Sequence, residues 1–199
     1  MDVLRDNRYS KLEIIFLCIG LTILATFILN MGSLIIILLP DVSINNLQII
    51  GLGISMIVGF ILTPTILLHR LIGFNYSVIY MFSMKRFLIY IVIIFTILLF
   101  FSIKTEDIIH PFIVATCEEF LFRGIFFSLL LSKFSKFKAI LIGSLIFSLL
   151  LHLNGNFIEN FIIKFPASII LYLIRDKLGL QESIVVHWLY NLFITKISS

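Results

Sequence analysis

Apolar residues run along the chain in seven long stretches, about 12–38, 47–68, 87–103, 109–131, 139–153, 157–174 and 183–197, separated by short polar links. Backbone that is irregular and exposed to lipid leaves its amides unsatisfied, so each stretch is predicted as a helix. No repeat, low-complexity tract or linker interrupts the pattern. Asn30–Ser33 inside the first stretch is expected to mark a kink or the outer end of that helix. Residues 69–86 mix Tyr76, Tyr80, Met81 and Phe82 with Lys85 and Arg86, a pattern that suits a short amphipathic helix lying in the membrane interface.

Composition turns these helices into membrane spans. Of the 199 residues, 60% are apolar and 13% charged, with mean hydropathy +1.15. A soluble domain is nearer half apolar and a quarter charged. A water-soluble fold of this size has too little interior to hide so much Ile, Leu and Phe, so lipid is the solvent for most of its surface. The predicted fold is an all-α polytopic bundle of about seven spanning helices, integral to a membrane.

Charge sets the expected topology. With the N-terminus cytoplasmic, Arg5, Arg8, Lys11, Arg70, Lys85, Arg86, Lys133, Lys136, Lys138, Arg175 and Lys177 gather on the inner side. Lys104, Lys164 and Lys196 fall outside or near that edge, which places the C-terminus outside. The net charge of +4 is spread over short loops rather than concentrated on a face, which argues against a nucleic-acid partner. The first stretch exceeds an ordinary signal core and no A-x-A-like site follows it, so an uncleaved first span is expected. Cys18 and Cys117 have no CxxC spacing and read as small core residues.

A few residues do not belong in lipid. The fourth stretch contains Cys117-Glu118-Glu119-Phe120-Leu121-Phe122-Arg123. Each charge at a span's centre costs about 2.5–3.5 kcal/mol, so such groups persist where they face a polar cavity. Glu119 and Arg123 are i and i+4 and can pair on one face. Glu118 points about 100° away, and its own i+4 neighbour is Phe122, which leaves it without a counter-ion and available as a general base. These residues alone also allow an ion pair that merely joins helices. His152 ends the fifth stretch, and His187 and Asn191 share one face of the seventh, where packing and function are both open. His69 and His110 lie at segment ends and read as interfacial. Glu106 and Asp107 are expected in a loop.

In combination, Glu-Glu-x-x-x-Arg, a late His in the next helix and His-x-x-x-Asn further on resemble the CPBP family. These are the membrane-embedded CAAX proteases and bacteriocin-processing enzymes, also called the Abi family. The resemblance covers roughly residues 109–195. It divides the chain into three N-terminal spans (1–108) and a catalytic core (109–199). One position departs from the pattern: the family's second motif is usually Phe-x-x-x-His, whereas Ser148 stands four residues before His152 and Phe147 is one residue off. A neighbouring helix is expected to supply the aromatic surface.

The resemblance implies endopeptidase activity within the bilayer. Glu118 would activate water with help from His152, His187 and Asn191 would hold the oxyanion, and Glu119–Arg123 would brace the site. It further implies a membrane-anchored or hydrophobic peptide as substrate and a bacterial cell membrane as location. Bacteriocin immunity or peptide-signal processing is the implied role. Zinc on Glu118, His152 and His187 is the alternative chemistry, but it occupies the only free base and lacks HExxH, so no metal is favoured. From other classes, a non-catalytic membrane scaffold keeps the same fold, and a small proton-coupled transporter could use the same residues as a relay.

One difficulty attaches to this reading. At about 1.5 Å per residue, Glu118 lies roughly 14 Å below the outer end of helix four. On the same count His187 is only about 6 Å from the inner start of helix seven. The two converge only if helices six and seven tilt, or if 157–174 dips without crossing.

Overall fold

The computed structural model describes residues 9–38, 44–74, 82–152 and 156–198. These form seven helices and, among the described residues, no strand. We label them α1 (Lys11–Ile37), α2 (44–72), α3 (Met84–Phe100), α4 (105–131), α5 (136–151), α6 (Phe157–Lys177) and α7 (Leu180–Ser198). Each corresponds to one apolar stretch. Of the segment 69–86 expected to lie in the interface, residues 69–72 end α2 and 84–86 begin α3, while 75–81 lie outside the described residues, as do Arg5 and Arg8.

The ends follow local chemistry. Ser10 caps α1 in a reciprocal box with Glu13. Gly73 closes α2 at φ 61°, a left-handed conformation that glycine adopts without a Cβ clash. α1 continues without a break through Asn30–Ser33, against the expected end there. Gly32 instead sits hard against Ser55 of α2, where a Cβ would meet the serine oxygen. Glu106 and Asp107 form the first turn of α4 rather than a loop, where acids meet the positive end of the helix dipole.

By length and apolarity α1, 47–72 of α2, and α6 can each cross a membrane. α3 has 17 residues, short of the roughly 20 a perpendicular span needs. α4 is long enough but carries the acidic pair and Arg123. Large apolar side chains such as Phe16, Phe27 and Phe100 point outward, as lipid solvation permits. The main core draws on α1, α2, α4, α5 and α6, around Phe60, Phe122, Phe126, Phe147 and Tyr172. A smaller cluster around Trp188 seats α3 and α7 against α4. α3 buries no residue of its own. Its N-terminal end is pinned to α7 by Arg86–Glu182 at 2.9 Å and by Ser83 N–H donating to Gln181.

Small residues let these helices approach, as expected where lipid removes the hydrophobic drive between spans. A Cβ on Gly59 would lie 3.0 Å from the Ala25 carbonyl. On Gly143 of α5 it would run into the Tyr172 hydroxyl. Tyr172 cannot swing aside, because it is fully buried and donates to the Phe122 carbonyl at 3.0 Å. Four π-helical stretches interrupt the α-helices at Ile57–Leu62, Phe120–Phe126, Ile146–Leu151 and Asn160–Lys164. The last three carry or adjoin the polar residues singled out above.

Gly143→Ala is expected to destabilise the protein by about 1–3 kcal/mol through overpacking against Tyr172. Thermal unfolding in detergent measures this, and an unchanged midpoint would contradict the contact.

Candidate active site

Two charges are buried completely, and they are buried together. Arg123 Nη1 lies 2.8 Å from Glu119 Oε1. Its contact is ionic rather than an aligned hydrogen bond. The other arm of the guanidinium donates to Ser168 Oγ on α6 at 2.7 Å. The guanidinium plane also rests 4.2 Å from the ring of Phe147 and 4.8 Å from that of Tyr172, a desolvated cation–π setting. Glu119 is satisfied from α7 as well: Ser183 donates its hydroxyl to Oε2, and His187 Nδ1 is 2.8 Å from Oε1.

That last contact fixes a proton. An ionised carboxylate only accepts, so His187 Nδ1 must be the donor. Its Nε2 then faces Glu118 Oε2 at 3.8 Å, longer than a hydrogen bond and short enough for one water or a small movement to bridge. Glu118 is buried, with 11% of its side chain exposed. The spacing argument holds in outcome: Glu119 has Arg123, and Glu118 does not.

The depth conflict disappears in the packing. Leu180, the first residue of α7, lies beside Gly124. Gly124 is seven residues, about 10 Å, short of the C-terminal end of α4 at Leu131. On the same scale Glu118 is about 20 Å from that end, and His187 about 10 Å from the start of α7. The two distances differ by the amount α7 is raised, so the side chains meet level. The connection from α6 is two residues, Leu178 and Gly179, and Gly179 takes φ 139°, a conformation that suits glycine. Neither a tilt nor a half-crossing segment is needed.

His152 follows the π turn that ends α5. Its Nδ1 is 3.0 Å from the Phe147 carbonyl, an acceptor, so a neutral ring presents Nε2 as its free acceptor. The carbonyl of His152 accepts from Asn160 Nδ2 at 2.6 Å. The missing Phe-x-x-x-His finds its explanation here. Ile146–Leu151 is π-helical, and in that geometry i and i+5 share a face. Phe147 therefore reaches His152 directly, with ring centroids 5.2 Å apart, and lies 6.0 Å from His187. The aromatic surface comes from the same helix and not from a neighbour.

A cavity of about 260 Å³ opens beside these rings, lined in part by Phe147, His152, Lys164, Ser168, His187 and Asn191. An adjoining cavity of about 330 Å³ shares His152, Lys164, Tyr190 and Asn191 and extends to His110 and Glu159. Glu118, Glu119, Arg123 and His187 are thus in direct contact, while His152 and Asn191 join His187 on the cavity wall. No hydrogen bond or ion pair links Glu118 to His152. Lys164, expected outside or near the outer edge, instead lies within α6 and lines both cavities. His110 and His69 are exposed at helix ends as expected.

Sequence reasoning passed over Ser183, Ser168 and Asn160. Ser183 was detectable, since Ser183, His187 and Asn191 fall at i, i+4 and i+8 on one face of α7. Ser168 and Asn160 are polar residues in an apolar stretch for which no role was expected. As for zinc, no group of three His, Cys, Asp or Glu among the described residues is arranged to hold a metal ion. Both histidines have Nδ1 engaged, which leaves Nε2 of each as the free ring nitrogen.

A bundle of apolar helices thus brings a carboxylate and an imidazole together beside a cavity. Residues 92–193 match the type II CAAX prenyl endopeptidase Rce1-like family. The chain belongs to that family and is a CAAX-type intramembrane protease, an integral membrane protein. No curated protein matches the chain, and no solved structure does.

Replacing Arg123 by Met strands Glu119 in a dry interior and is expected to cost about 3–5 kcal/mol. The double variant Glu119→Gln/Arg123→Met should recover part of that loss. Chemical unfolding in micelles reads both, and equal stability of single variant and wild type would contradict the pairing.

Proposed function

We propose that the chain is a glutamate-dependent endopeptidase acting on membrane-anchored or hydrophobic peptides, with Glu118 as the base that activates water. The observation that carries this is the 3.8 Å approach of Glu118 to His187 beside a cavity, while Glu119 is fully occupied by Arg123, Ser183 and His187. Two carboxylates adjacent in sequence are thereby given different tasks.

Water held between Glu118 and the cavity attacks the scissile carbonyl as Glu118 takes its proton. His152, with Nε2 free, assists that transfer or passes the proton to the leaving amine. His187 serves as oxyanion donor through Nε2. Because Nδ1–H is already given to Glu119, Nε2 donates only when the ring is an imidazolium. Asn191, one turn beyond His187, supplies a second, uncharged donor. The Glu119–Arg123 pair, with Ser168 and Ser183, holds His187 at its angle. No step passes through a metal.

The source membrane is proposed as bacterial with the N-terminus cytoplasmic, and the biological role as bacteriocin immunity or peptide-signal processing. The family assignment and the basic-residue pattern support these readings.

Glu118→Ala and Glu118→Gln should both abolish cleavage of a membrane-peptide substrate, with no effect of chelator on the wild type. Cleavage by Glu118→Ala at the wild-type rate eliminates the base, and chelator inhibition reversed by zinc eliminates the metal-free mechanism. Asn191→Ala should lower kcat by about 10²–10³ with little change in KM, the loss typical of one oxyanion donor. A rise in KM alone would assign Asn191 to substrate binding instead.

A further inference from the structure

Lys164 is a cation out of place. It closes the π stretch Asn160–Lys164 in α6, a helix apolar enough to cross a membrane. An ammonium near a span's centre costs about 2.5–3.5 kcal/mol unless something compensates. The usual remedies are absent: among the described residues Lys164 forms no ion pair and no hydrogen bond. Glu159 lines the same outer cavity five residues earlier, yet the two are not within ion-pair distance.

Lys164 is half-buried and faces a cavity. It lines the inner cavity with Ser168, which bonds Arg123, and with His187, which bonds Glu119. It therefore stands at the level of the buried brace. Lys164 also lines the outer cavity, and with His152, Tyr190 and Asn191 it marks the seam between the two. The remaining wall of the inner cavity is largely apolar, with Phe147, Ile170, Leu171 and Val186. Such a site offers apolar packing and one unsatisfied positive charge a few side chains from the proposed base.

We propose that Lys164 is a specificity-determining residue that binds a carboxylate of the peptide substrate. The inference rests on the proteolytic reading above, because a peptide's own anions are carboxylates. They come from two places, the C-terminal α-carboxylate and an Asp or Glu side chain, and the chemistry Lys164 offers is the same for both. The carboxylate supplies the missing counter-ion, and aliphatic or aromatic side chains beside it fill the apolar wall. Substrate binding thus pairs a half-buried cation that has no counter-ion among the described residues.

The test uses the full chain in micelles of uncharged detergent and three N-terminally lipid-anchored peptides of one apolar sequence. The first ends in a free carboxylate, the second in an amide, and the third in an amide with one Asp placed near that end. Wild type should show a KM about 10- to 100-fold lower for one or both carboxylate-bearing peptides than for the neutral amide, as suits a hydrogen bond to a charged group. The favoured peptide identifies the source of the carboxylate. Lys164→Met should raise that KM to the level of the neutral amide, and Lys164→Arg should keep most of the preference. A preference that survives Lys164→Met, no preference in wild type, or an equal fall in kcat on all three peptides overturns the proposal. Binding of the same peptides to Glu118→Gln and to Glu118→Gln/Lys164→Met reads the claim without turnover. If carboxylate-dependent binding is seen there but wild type cuts none of the peptides, the proteolytic reading fails and the anion site stands. If no peptide binds in a carboxylate-dependent way, the anion site fails.

Discussion

The structure depends on one buried ion pair. Glu119 and Arg123 are both fully buried, a placement no chain tolerates unless each charge finds its opposite and its remaining polar atoms find partners. The pair meets most of that demand with help from three other helices, although Arg123 Nε is left without a hydrogen-bond partner. Ser168 and Tyr172 of α6, Phe147 of α5, and Ser183 and His187 of α7 all touch one of the two residues. Helices without a hydrophobic reason to associate in lipid are therefore tied together by a polar centre. Small residues such as Gly143 let the backbones come near enough for those ties to form.

The same pair decides which groups are left for chemistry. By occupying His187 Nδ1, Glu119 fixes the imidazole's orientation and turns Nε2 toward Glu118. By taking up Arg123, it denies Glu118 that cation. The functional asymmetry between two neighbouring glutamates thus follows from the helical phase difference of about 100°. It needs no special environment for either one beyond burial. His152 enters from a separate element and touches neither carboxylate, so its role runs through the cavity rather than through the brace.

Much of this could be read before any coordinates. All seven helices appeared as apolar stretches, because lipid solvation removes the polar face that ordinarily blurs such patterns. Glu119–Arg123 followed from i,i+4 geometry, and His187 with Asn191 from the same rule. What failed to show was anything set by the relative heights of helices. The start of α7 lies beside Gly124 because the α6–α7 link is only Leu178 and Gly179, and counting from predicted ends misplaced it. Ser183 escaped notice for a different reason: serine in a membrane helix commonly bonds its own backbone, as Ser33 and Ser128 do here.

The π turns show why motif spacing alone is an incomplete guide to a site of this kind. A Phe-x-x-x-His spacing places the two rings together only on an α-helix, where i and i+4 share a face. In Ile146–Leu151 the helix is widened, so the residue five before His152 takes that place, and Phe147 does the work expected of position 148. Ser148 is then turned away and buried. The Phe147 carbonyl also lies 3.0 Å from His152 Nδ1, a second tie between the same two residues. The one-residue departure in sequence and the departure from α geometry are therefore a single event. Relatives that keep Phe at the i−4 position should have an unwidened turn there, and a relative with both features would break that correspondence.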